Sequence, residues 1–134
     1  MDIEVLVLCD AATDSIGKLN VLGVFDSILA ASAPIIQPQC AVALRIRFSR
    51  EEEGAHAVKV SLVDADGKSV VPDLNATVNV KFRGDELSLV TNMIMNLQRV
   101  KFEKAGDYVI GVSVDGKHEK AVPLMIRLRP PQPQ

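Results

Sequence analysis

The sequence predicts an all-β fold, an immunoglobulin-like antiparallel β-sandwich of about eight strands. Three observations predict it. Apolar and polar residues alternate with a period of two along most of the chain, as on half-buried strands. Turn residues interrupt that alternation roughly every 8–12 residues. The most regular stretch, Val100 to Lys117, reads as a strand end, a tight corner, a second strand opened by Tyr108, and a hairpin turn at Asp115-Gly116. No stretch carries a convincing helical period.

Taken in order, Ile3, Val5 and Val7 alternate with Glu4, Leu6 and Leu8. This first strand is apolar on both faces in its second half, so it is covered on both sides or lies at an interface. Residues 10–15 read as a loop. Gly17 leads into a strand over residues 18–29, where Gly23 marks a bulge or a close backbone approach. Residues 30–39, with Pro34 and Pro38, are a connection, and Ile35 and Ile36 either tuck under a sheet edge or stand exposed. From Cys40 the alternation is clean: Cys40, Val42, Leu44, Ile46 and Phe48 face the core, and Ala41, Ala43, Arg45 and Arg47 face water.

An acidic turn at residues 49–55 leads to a strand over 56–63. Asp64-Ala65-Asp66-Gly67 is a second turn, and Ser69 to Pro72 a short strand. Leu74, Ala76, Val78, Val80 and Phe82 form the next core-facing row. Residues 84–91 read as a loop, 93–102 as a strand with Asn96 and Gln98 as polar intrusions, and 119–129 as the last strand. Tyr108 follows Ala105-Gly106-Asp107 and resembles the tyrosine corner of immunoglobulin-like domains, where the hydroxyl bonds to backbone a few residues upstream. Ile110 stands where antibody domains carry a cysteine, so the antibody disulfide is absent. Residues 1–129 are expected to be one β-sandwich domain and 130–134 a Pro-rich disordered tail.

Composition narrows the function classes. The chain has 134 residues, enough for a core without staples, and with 4% aromatics and no Trp that core is mostly Val, Leu, Ile and Ala. A net charge of −2 offers no basic footprint, so nucleic acid and anionic membranes are not expected as partners. No apolar run reaches the roughly 20 residues of a membrane-spanning helix, and the N-terminus has no positively charged leader. Cys9 and Cys40 sit in apolar strand patterns and read as buried free thiols. Together these points place the expected localisation in the cytoplasm.

Motifs of chemistry are sparse. His56 and His118 have no metal-ligand spacing and read best as hairpin-end histidines. Asp64-x-Asp66-Gly67 begins like a calcium loop but lacks the later ligands, and a hairpin turn explains it. There is no nucleophile elbow and no Gly-rich phosphate loop. Glu51, Glu52 and Glu53 occupy a solvated turn without a sign of acid–base work.

Three segments carry a family resemblance: Glu4 to Asp10, Gly17 to Asp26, and the block containing Asn96-Leu97-Gln98, Gly106-Asp107-Tyr108 and Val114-Asp115-Gly116. Together they resemble a bacterial family of small β-sandwich proteins of unknown function. The resemblance implies the fold and a bacterial cytoplasmic origin, and carries over no activity, ligand or catalytic residue.

The expected function is a non-catalytic interaction or assembly module, with a protein partner or self-association, no catalytic residues and no cofactor. The alternative is a small-ligand or metal-binding domain with a loop-built site at one end of the sandwich, formed from loops 10–17, 30–39 and 84–92. Its candidate residues are Asp10, Asp26, His56 and His118.

Overall fold

The computed structural model describes residues 1–130. The described residues form nine strands and one 3-10 turn: β1 (Asp2–Ser15), β2 (Lys18–Phe25), β3 (Ser27–Ala30), β4 (Ile35–Ser49), the turn Arg50–Glu52, β5 (Gly54–Asp64), β6 (Leu74–Val80), β7 (Ser88–Phe102), β8 (Gly106–Val114) and β9 (Lys117–Leu128). They form a four-stranded sheet, ordered β2-β1-β4-β7, and a five-stranded sheet, ordered β3-β9-β8-β5-β6. The expected all-β, two-sheet architecture is present. The number and shape differ: the expected sandwich of about eight strands is a curled half-barrel of nine. The expected tail begins at the last described residue, and residues 131–134 of it lie outside the described ones.

The main core lies between the sheets. Leu6, Leu8, Val42, Leu44, Ile46 and Phe48 of the four-stranded sheet meet Val58, Val60, Leu62, Ile110, Val112, Leu124 and Ile126 of the other. These are the inward rows that the period of two selects. Fully burying each such side chain contributes about 1.5–3 kcal/mol. Tyr108 is buried, packs edge-on to Phe102, and donates its hydroxyl proton to the Lys104 carbonyl at 2.6 Å. That bond keeps the one polar atom of the ring satisfied and pins the corner between β7 and β8. On β7, Arg99 takes a positive φ of 52°, and the strand turns over there. Asn96 and Gln98 therefore stay exposed while Val100 and Phe102 are buried.

The segment expected as one strand over 18–29 is two strands. The chain breaks at Asp26, leaves the four-stranded sheet, and joins the five-stranded one as β3, parallel to β9. The expected short strand at 69–72 is only a bridge between Val63 and Ser69. Asp64 explains the neighbouring turn, since its Oδ1 accepts the backbone N–H groups of Asp66 and Lys68, both at 2.9 Å.

Residues 10–15, expected as a loop, continue β1. Their partners are in β2, from Ala11 opposite Leu22 to Ser15 opposite Lys18. Beyond Cys9 this hairpin parts from β4 and folds back over the outer face of the four-stranded sheet, an arm bent at Asp10 and Gly23. Gly23 has φ 69°, and a β-carbon there would collide with the Asp10 carboxylate, so the expected close approach is real.

Candidate functional site

The arm makes a second, smaller core on a face that the alternation assigns to water. Cys9, Ala41 and Ala43 are fully buried there, with Ala12, Leu19 and Val21 of the arm and Val7 and Ile94 of the sheet packed around them. Alanines on β4 leave room for a second layer to approach, which is why the expected solvent face of that strand is dry at Ala41 and Ala43, while Arg45 and Arg47 stay partly exposed. The tip is tied down by Asn92, whose amide donates to Asp14 Oδ1 at 3.3 Å and to the Gly17 carbonyl at 3.1 Å.

Beside the polar Thr13, Asp14, Ser15, Lys18 and Asn20, the arm shows three large apolar side chains to solvent. Ile16 at its tip is 99% exposed, Leu22 70% and Val24 59%. Ile16 also holds φ 50°, a left-handed conformation that a β-branched residue adopts at a cost of roughly 1–2 kcal/mol. β2 is a sheet edge, paired to β1 on one side only. Edges of this kind are ordinarily guarded by charge, proline or a bulge. β2 carries a single charge, Lys18, at its start.

Beside the arm, β1 has a bulge between Ile3 and Val5, which leaves Glu4 as the extra residue. The bulge aims Glu4 at Arg45 Nε, 3.0 Å away, and Arg47 Nε, 2.7 Å away. The Arg47 hydrogen bond, seconded by Arg45, holds the Glu4 carboxyl below the usual carboxylate range. The fork is internally satisfied, since Arg45 also donates to Asn92 and Arg47 to Ser88.

At one end of the half-barrel the acidic turn is a knot of local bonds. Ser49 N and Oγ donate to Glu52 Oε1 at 2.9 and 3.0 Å, and Glu53 accepts from Phe82 N at 2.8 Å. His56 lies half-buried under this turn, with Nδ1 2.7 Å from Asp115 Oδ2 and Nε2 against the Glu52 carbonyl. Its ring stacks on Phe48, centroids 4.9 Å apart.

The four candidate residues do not gather. His56 stands on the inner face of β5. His118 is exposed on the outer face of the same sheet, against Gly111 and near Ser61. Asp10 lines a shallow depression with Gly23, Ser27 and Gln37, and Asp26 a different one with Leu6, Val122 and Pro123. The loops expected to share an end do not share one either: Ile35 pairs with Phe102 and Ser49 with Ser88, so residues 30–39 and 84–92 flank opposite ends of β4. Only the 10–17 segment reaches the 84–92 region, through Asn92.

Cys9 and Cys40 are free and lie on adjacent strands with side chains on opposite faces. Burial pushes the Cys40 thiol up to about 11 and raises that of Cys9. Among the described residues no helix is long and apolar enough to cross a membrane.

A depression of about 410 Å³ on the outer face of the five-stranded sheet is lined by Ala57, Lys59, Asn75, Thr77, Ser113 and Gly116, among others, without a carboxylate. Sequence reasoning missed Ile16 and Leu22 as surface features. The signal for them was an X-Gly pair, Ile16-Gly17, between two apolar runs.

A family model described as "Family of unknown function (DUF6941)" matches residues 4–127, and the chain belongs to that family. No curated protein matches it. Among solved structures, the Pseudomonas fluorescens alkylpurine DNA glycosylase AlkC bound to DNA containing an abasic site analog is similar in fold, with a TM-score of 0.50 and 11% sequence identity. The likeness covers 93% of this chain and 30% of that one, so the chain spans less than a third of its length. This finding corrects the expectation that excluded nucleic acid from the partners: a DNA-bound protein contains this fold. The exclusion rested on net charge, which is a sum over all faces and does not describe any one of them.

Proposed function

We propose that this member of the family is a non-catalytic interaction and assembly module that works through the β1–β2 arm. The observation that carries the reading is Ile16: fully exposed, β-branched and left-handed, at the tip of an arm whose free edge also shows Leu22 and Val24. Backbone cost held at an exposed apolar residue is recovered when a partner covers that residue. The partner that best suits an open edge is another edge, and we take it to be the β2 of a second copy, in two-fold antiparallel pairing. In that arrangement the two Lys18 ammoniums fall at opposite ends of the ladder, without a like-charge clash.

The strand arrangement also supports an immunoglobulin-like reading of the fold, with β1-β4-β7 facing β9-β8-β5 and Tyr108 at the corner. Two free thiols agree with a bacterial cytoplasmic setting. The test is native mass spectrometry and sedimentation over a wide concentration range. The expected result is a dimer that Leu22→Lys weakens at least tenfold, about 1.4 kcal/mol. A strict monomer at every concentration contradicts the reading.

A second reading follows from the Lys59 face. Its amide and hydroxyl groups, one cation and lack of carboxylates suit a nucleic-acid backbone, and the DNA-bound state of the AlkC structure favours testing it. Fluorescence anisotropy with single- and double-stranded oligonucleotides at low salt decides, with Lys59→Glu expected to abolish any binding.

A further inference from the structure

We propose that His56 is a pH-responsive clamp, doubly protonated when it ties the β4–β5 turn to the β8–β9 hairpin and slackening both when it loses a proton. Three features of the geometry select the charged ring. Nδ1 faces Asp115 Oδ2 and Nε2 faces the Glu52 carbonyl, and both partners can only accept. A neutral imidazole has one N–H and leaves one of these contacts unmade. The third feature is the Phe48 face stacked on the ring, which favours a cation.

Asp115 extends the clamp, because its Oδ1 accepts the Ala57 N–H at 2.9 Å while its own N–H donates to the Ala57 carbonyl at 2.8 Å. The charged groups acting on His56 are Glu52 and Asp115. Glu52 turns its carboxylate to Ser49 and to the Met1 amine. From β4, Phe48 stacks on His56, and β6 pairs it with Val78.

The Glu52 carbonyl first, and then Asp115, raise the His56 pKa above its usual value. The stabilisation from the clamp is therefore complete below about pH 6.5, where an ordinary histidine is half charged, and is lost as pH rises through the higher folded value. The His56 hydrogen bond lowers the Asp115 pKa, so at the acid end the clamp fails only as pH falls through that lowered value.

The experiment is an NMR titration of the two ring nitrogens of His56, together with amide exchange at Ala57 and Asp115 in the wild type and in His56→Phe, which keeps the stack. The expected result has both nitrogens still protonated at pH 6.5, and a protection advantage over His56→Phe that shrinks severalfold between pH 6 and pH 9. A ring already neutral at pH 6 overturns the proposal. So does an advantage that does not change with pH. If His56→Phe fails to fold, the wild-type titration alone still decides.

Discussion

The hairpin turns at Ile16-Gly17 and Asp115-Gly116 have nearly the same backbone, with φ of 50° and 77° in the first and 52° and 81° in the second. Both place two consecutive residues at positive φ, as a two-residue hairpin loop of this hand requires. Their side chains differ in what they do. Asp115 tolerates the left-handed conformation, and its carboxylate is spent on His56 and Ala57, inside the chain. Ile16 tolerates it poorly and touches solvent. One turn is fitted to its own fold; the other carries a cost that nothing among the described residues offsets. That difference is the reason for assigning the Asp115 end to internal order and the Ile16 arm to contact with a partner.

The largest effect is expected at the hinge of the arm. Gly23→Ala forces a β-carbon into the Asp10 carboxylate at a left-handed position, and is expected to cost about 2 kcal/mol in urea unfolding. It also loosens the arm, so in a Cys40→Ala background Cys9, now fully buried, is expected to react with a thiol reagent at least tenfold faster. Unchanged labelling would mean that the arm does not cover Cys9 in the way described. At the corner, Tyr108→Phe removes the bond to Lys104 and is expected to cost about 1 kcal/mol while leaving Cys9 labelling and association untouched. The smallest change in stability is expected for Ile16→Asn. Asparagine accepts the left-handed region, so the variant is expected to gain up to about 1 kcal/mol of stability and to lose association. A variant that is both less stable and equally associated would remove the argument from Ile16.

Much of the fold was legible because it is local. The β8 series from Tyr108, the Asp115-Gly116 turn and the inward row of β4 are each written within a dozen residues, and each stands as expected. The arm was not legible. Asp10 to Ser15 carries little strand signal of its own, and is a strand because β2 pairs with it. Ala41 and Ala43 have the alternation of a wet face and are dry because residues from another part of the chain lie on them. The break at Asp26 was hidden for the same reason, since β3 is defined by a parallel partner at the far end of the sequence. His56 was singled out and read as a solvated hairpin end. Its partner Asp115 is 59 residues away, so nothing near it in the sequence announced the contact.

The free edge of β2 is assigned as an interface between copies. This assignment is tested most directly by hydrogen–deuterium exchange of the amides of Lys18–Phe25 at low and high protein concentration. Protection is expected to rise with concentration in β2 and at the Ile16 tip, while the Ala57–Asp115 end stays constant. Exchange in β2 that is independent of concentration, or new protection confined to another face, would contradict it.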